Sequence, residues 1–236
     1  MRWRLQRLNW AYAVGELIIV VAGVLIALTV DQWNSDRLER VEEVEIIDGF
    51  LSDLREDIED ISLGLEILPE KETRLLRISS SLETFDHRPN DISRFLEDIV
   101  GSTPYGWNQA RARRTSLDEV LGSGKFGLIR DAALRVRISE YYDFELSVSN
   151  RINERETEYP SLAYRLVPRS TEGEVETNLS DAQKQRLVER IFDSPLRDHV
   201  VGEINFSRFV NERLTFWKAL CLELIDELET YRNTLE

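Results

Sequence analysis

The sequence predicts an all-α protein in which one N-terminal transmembrane helix is continuous with a long helix of an elongated antiparallel helical bundle. Three observations predict it. Residues 11 to 30 are apolar apart from Tyr12, Glu16 and Thr29, and at the helical rise such a run covers about 30 Å, the hydrocarbon thickness of a bilayer. A heptad pattern runs from residue 9 to residue 68 without an insertion. No segment of useful length alternates with the two-residue period of a strand.

Composition bounds what the rest of the chain does. With 236 residues, 42% of them hydrophobic and 31% charged, roughly one soluble domain remains once the apolar segment is set aside. The net charge of −14 argues against nucleic acid and against an anionic membrane surface as broad partners. The lone cysteine, Cys221, excludes an intramolecular disulfide, and His87 and His199 lie too far apart in sequence to suggest a zinc site. No cofactor is expected, and packing alone must hold the fold.

The first element is the apolar helix, residues 11–30. Arg2, Arg4 and Arg7 precede it, whereas Asp31, Asp36, Glu39, Glu42 and Glu43 dominate the segment on its C-terminal side. The positive-inside rule then puts residues 1–10 in the cytoplasm as a basic tail and residues 31–236 outside it. For a bacterial inner-membrane protein this means a periplasmic domain. Trp10 and Trp33 fall near the two ends, as an aromatic belt requires. A cleaved signal peptide is the rival reading, but the run is long for one and no small-x-small site precedes Asp31.

The heptad continues the helix outward. One row reads Asn9, Glu16, Gly23, Val30, Arg37, Val44, Leu51, Ile58, Leu65, and the other Tyr12, Ile19, Ile26, Trp33, Arg40, Ile47, Leu54, Ile61, Leu68. With no proline before Pro69, one helix is expected over residues 9–68, its outer part (31–68) a stalk and residues 69–236 a bundle. A straight helix drifts by about 20° per heptad, so the stripe either tracks a supercoiled partner or meets different neighbours at its two ends.

Further helices are expected at 70–85 and, capped by Asp91, at 92–100, with the "HRPND" turn before Ile92 and a "GSTPYGWN" loop over 101–108. Ser116 and Glu119 form a capping box for a short helix that ends at "GSGKFG". Asp131 caps a long helix carrying Leu134, Ile138, Tyr141, Val148 and Ile152, bent or ended at Pro160. "PRSTEGEVETN" (168–178) is the longest exposed loop, and Ser180 caps a short helix. Ser194 and Pro195 open the last helix, whose seam is Val210, Leu214, Trp217, Cys221, Leu224, Leu228, Tyr231 and Leu235. That helix is long enough to lie antiparallel to the stalk.

Two of these segments carry a resemblance. Tyr12, Ala13, Gly15, Glu16, Trp33 and Asn34 in the first, and Ser123, Gly124, Leu128, Ile129, Tyr141 and Tyr142 in the second, resemble a widespread group of bacterial single-span proteins known only as a domain of unknown function. The resemblance implies no activity, cofactor or partner. It does imply that the apolar helix is a working part of the protein.

Glu16 is the first candidate for function, because a charge inside a membrane helix costs about 2.5 to 3.5 kcal/mol at the centre and marks a function or a partner. It shares a face with Asn9, Tyr12, Gly23 and Ala27, the last two a small-xxx-small pair that admits a close neighbour. That face reads as a membrane-helix contact, to other membrane subunits or to a second copy; the alternative is a protonated or snorkelling carboxylate. Arg111, Arg113 and Arg114 form the densest basic cluster, either a patch for an anionic partner or lipid, or a solvated face. "GSGK" lacks the spacing and the preceding strand of a phosphate loop. No spacing supports a catalytic constellation, so the expectation is a non-enzymatic accessory subunit that docks on and braces a larger membrane complex. The alternative is a membrane-anchored sensor, with few residues left on the cytoplasmic side for an output.

Overall fold

The computed structural model describes residues 10–83, 89, 91–104, 111–155, 157–176 and 178–235, with side chains from Val14 onward. Among these the chain forms seven α-helices and one 3-10 turn. They are α1 (Trp10–Glu83), α2 (Ile92–Gly101), α3 (Thr115–Gly122), the turn Lys125–Leu128, α4 (Ala132–Glu154), α5 (Tyr159–Leu166), α6 (Asp181–Phe192) and α7 (Leu196–Leu235). The one extended pairing described is an isolated bridge, Arg169 to Val175, which pinches the exposed 168–178 loop into a short turn where Gly173 takes φ 85.

The expected all-α architecture is present. An apolar N-terminal segment long enough to cross a membrane runs without interruption into a helical bundle. Helix α7 lies antiparallel to the outer part of α1, so that Arg232 pairs with Asp48, Cys221 meets Leu54, Lys218 meets Ser62 and Arg208 pairs with Glu72. The whole α7 seam from Val210 to Leu228 is buried, as the heptad predicts.

The end of the first helix needs correcting. Helix α1 does not stop before Pro69 but passes through it to Glu83 and absorbs the separate helix expected at 70–85. Proline removes one backbone bond and crowds the preceding turn. Here it sits on the exposed side, while Leu68, Leu75, Ile78 and Leu82 continue one buried stripe across it. Packing on the far face overrides the local break.

The buried face of α1 is also rotated from the expected one. Ile47, Leu54, Ile61 and Leu68 are buried, and their row continues through Leu75 and Leu82. In the other row Leu51 is buried but Val44, Ile58 and Leu65 are only half-buried, and further buried positions lie one residue earlier, at Glu43, Phe50, Asp57, Gly64, Lys71 and Ile78.

Two hydrophobic cores succeed one another along the bundle. The inner one joins α1 from Ile47 to Leu68 with α3, α4 and α7 beyond Phe206. The outer one joins α1 from Leu75 to Leu82 with α2, α5, α6 and the start of α7. Caps at Asp91, Asp131 and Ser180 form as predicted, the last as a full capping box with Gln183. The capping box at Ser116 does not form: α3 begins at Thr115 without a side-chain cap, and the Ser116 amide donates to Asp53 of α1 at 2.8 Å. A carboxylate from another helix has replaced the local one. Helix α4 ends at Glu154, and Pro160 opens α5 instead of bending α4.

Candidate functional site

The stretch from Val14 to Val41 differs from everything outside it. Apart from the half-exposed Gly15, every residue in it is exposed, large aliphatic side chains included. Among the described residues, nothing covers Val14, Leu17, Ile18, Ile19, Val20, Val21, Leu25 and Ile26. Its backbone is satisfied internally, as a helix in hydrocarbon must be, and the Thr29 hydroxyl donates back to the Leu25 carbonyl at 2.8 Å. Glu16 projects from this segment, and a methyl group added at Gly23 would meet nothing within 4 Å. Gly23 and Ala27 therefore form an open shelf on which another helix can approach closely. Asn9, the basic tail and the side chain of Tyr12 lie outside the described residues, so the face expected to make the membrane-helix contact is described from Glu16 onward.

From Glu43 outward the same helix buries charge. The row that carries Phe50, Gly64 and Ile78 also carries Glu43, Asp57 and Lys71, each essentially inaccessible. Each ties α1 to other parts of the chain. Glu43 accepts from the Arg130 amide at 2.7 Å and from the Tyr231 hydroxyl. Asp57 accepts from the Tyr141 hydroxyl at 2.7 Å and from the Arg113 amide at 2.8 Å. Lys71 forms an ion pair with Glu203 between the two cores, and Thr157 also donates to that carboxylate. Unpaired, such groups would cost several kcal/mol each, so they fix how α1 is oriented against its neighbours.

Burial shifts these groups. Desolvation raises the Asp57 pKa to about 6 against the opposing pull of the Tyr141 and Arg113 hydrogen bonds. Desolvation also pushes the Tyr141 hydroxyl up, with Cys221 and Asp57 adding to it, and pushes the Cys221 thiol up to about 12. Buried, high in pKa and donating to the Leu54 carbonyl at 3.3 Å, Cys221 is an inert core residue.

The basic cluster is largely engaged within the chain. Arg113 reaches Glu56 at 2.5 Å and Asp60 at 2.7 Å, with Asp57 at 3.7 Å. Arg114 lies 3.8 Å from Asp118 and stacks over the Tyr142 ring. Arg111 is exposed. Gly124, at φ 73, ends α3 in the left-handed conformation, and Lys125 pairs with Glu42. The "GSGK" segment is thus a helix-ending turn. Among the described residues, no group of acids, histidines and cysteines could hold a metal ion.

Sequence reasoning missed the row of buried charges because it selected apolar positions. The signal was present as a charged residue every fourteenth position, Glu43, Asp57 and Lys71, one step ahead of the apolar row. It also missed Arg137, which binds Glu227 at 3.1 Å and Glu223 at 3.3 Å and so staples α4 to α7.

The model of a family described as "Family of unknown function (DUF6090)" matches residues 16–153. The match begins at Glu16 and ends one residue short of the end of α4, so it takes in the exposed face, the buried Glu43, Asp57 and Lys71 of α1 and the Tyr141–Tyr142 pair. No curated protein and no solved structure matches the chain.

Proposed function

The chain belongs to this family of unknown function, and we propose that it is a non-enzymatic, membrane-anchored accessory subunit. On this reading its anchor docks against helices of a larger membrane protein complex, and its acidic bundle braces that complex from outside the bilayer. Energy-transducing assemblies, respiratory or photosynthetic, are among the candidates. One observation carries the reading: the face bearing Glu16, Gly23 and Ala27 is open, and nothing among the described residues covers it. A carboxylate in a membrane helix is retained where a neighbour accepts it. The arginines before the anchor and the acids after it favour a bacterial inner-membrane protein with a periplasmic bundle.

Co-purification from mild detergent with mass spectrometry tests the reading. A stoichiometric integral membrane partner is expected; recovery as the isolated chain alone would contradict it. Protease digestion of spheroplasts tests the orientation, and a bundle cleaved only after lysis would reverse it.

A sensor reading draws on one feature, the unbroken 74 residues of α1 that connect the apolar segment to the outer core. Such a protein has a ligand for its bundle. A metabolite screen that shifts the melting temperature of the full chain in detergent favours the sensor, and a flat screen favours the accessory subunit.

A further inference from the structure

Resting on that docking reading, we propose that the docking face continues out of the bilayer along the stalk. Its occupant is a helix of a different membrane protein, which carries a basic side chain at the depth of Glu16 and an acidic one beside Arg37. At about 100° per residue, Glu16, Gly23, Ala27, Val30, Asn34, Leu38 and Val41 fall within one sector about 80° wide. Glu43, Ile47, Phe50 and Leu54, which face the inner core, fall on the opposite side. The sector therefore looks away from the chain's own bundle, and a partner helix can lie along it for about 40 Å without meeting that bundle.

The outer part of this face is not explained by lipid. Residues 31 to 41 come after the apolar run and are rich in charge, yet Leu38 is 61% and Val41 is 53% exposed. Three and four residues apart along one face, Asn34, Leu38 and Val41 make the anchor pattern by which a helix receives another. Asn34 adds a polar group of the kind that sets register in paired helices.

Charge decides between a second copy and another protein. In a parallel pair of identical chains packed on this face, Glu16, at its centre, would face Glu16, whereas Arg37, at the edge of the sector, would lie across the pair from its own copy. The Glu16 contact is a like-charge contact that specificity avoids. A different helix with a base opposite Glu16, and an acid about 30 Å further out opposite Arg37, satisfies both.

The test is site-specific photo-cross-linking of the full chain in the membrane of its native host, with benzoylphenylalanine at one position at a time. Positions 34, 38 and 41 lie on the face; positions 36 and 39 lie on the far side of the helix. The expected result is one product from 34, 38 and 41, at least about threefold weaker from 36 and 39. Its partner should be a membrane protein with Lys or Arg within its span, and Glu16→Leu should lower the yield at 38 by about three- to tenfold. Equal yields at all five positions, or a product joining two differently tagged copies of this chain, would overturn the proposal. Products from positions 23 and 27 without any from 34, 38 or 41 would overturn the extension while leaving the docking reading in place. Absence of product from all seven positions would overturn both.

Discussion

Two stretches of one helix, built on the same backbone, treat their side chains in opposite ways. Between Glu43 and Leu82, α1 buries an apolar row and, in the adjacent row, three charged residues that the chain's own donors and acceptors satisfy. Between Val14 and Val41 it exposes nearly everything, including a carboxylate and a run of large aliphatics. A helix surface is complete only when its apolar stripe is covered and its buried charges are paired. The outer stretch is completed by its own sequence, and among the described residues nothing completes the inner one. Fold stability therefore belongs to the outer stretch, and on the proposed docking reading partner choice belongs to the inner.

The largest effect should come from breaking one member of the buried pair between the two cores. Lys71→Met leaves Glu203 buried without its cation and should cost about 3 to 5 kcal/mol in urea unfolding of the full chain in detergent. The double variant with Glu203→Leu should recover most of that loss. If Lys71→Met alone is neutral, the outer stretch is not held together in the way described.

A smaller effect is expected at Asp57. Tyr141→Phe removes a donor to this buried carboxylate and should cost about 1.5 to 3 kcal/mol near neutral pH. The same carboxylate predicts a pH dependence. Its pKa in the fold is about 6 against an ordinary 3.8, so between those values the folded state binds a proton that the unfolded chain does not. The resulting stability is fully present below the ordinary value and is lost as pH rises through 6. Relative to Asp57→Asn, the wild type should gain stability, by up to about 3 kcal/mol, as pH falls from 7 to 4. A constant difference across that range would mean that Asp57 is not desolvated.

At the small end, Arg55 and Glu229 pair across α1 and α7 at 2.7 Å with both side chains about half exposed. Arg55→Ala should cost no more than about 0.5 to 1 kcal/mol, and less in high salt.

Much of the fold was legible because long helices with a strict seam announce themselves. The α7 heptad and the caps at Asp91, Asp131 and Ser180 come from local sequence alone. What was hidden depended on contacts distant in sequence. Asp53 caps α3 from across the bundle, which no reading of Ser116 and Glu119 foresees. Pro69 reads as an end until the stripe beyond it is known to be buried. At the candidate site, the sequence alone puts Glu16, Gly23 and Ala27 on one face, but that this face looks away from the bundle emerged only once Glu43 and Phe50 were placed in the core. The basic cluster read as a patch for an anionic partner or as a solvated face, and neither reading foresees that Arg113 is drawn toward α1 by Glu56, Asp57 and Asp60, carboxylates more than fifty residues earlier in the chain.

Native mass spectrometry of Gly23→Ile beside wild type, both released from native membranes, tests the division between the two stretches most directly. A stoichiometric partner is expected on the wild type, together with its loss from the variant and an unchanged urea midpoint for the variant's bundle. A variant that keeps its partner, or that loses it only because the bundle itself unfolds, would contradict the claim that α1 docks through its inner face and folds through its outer one.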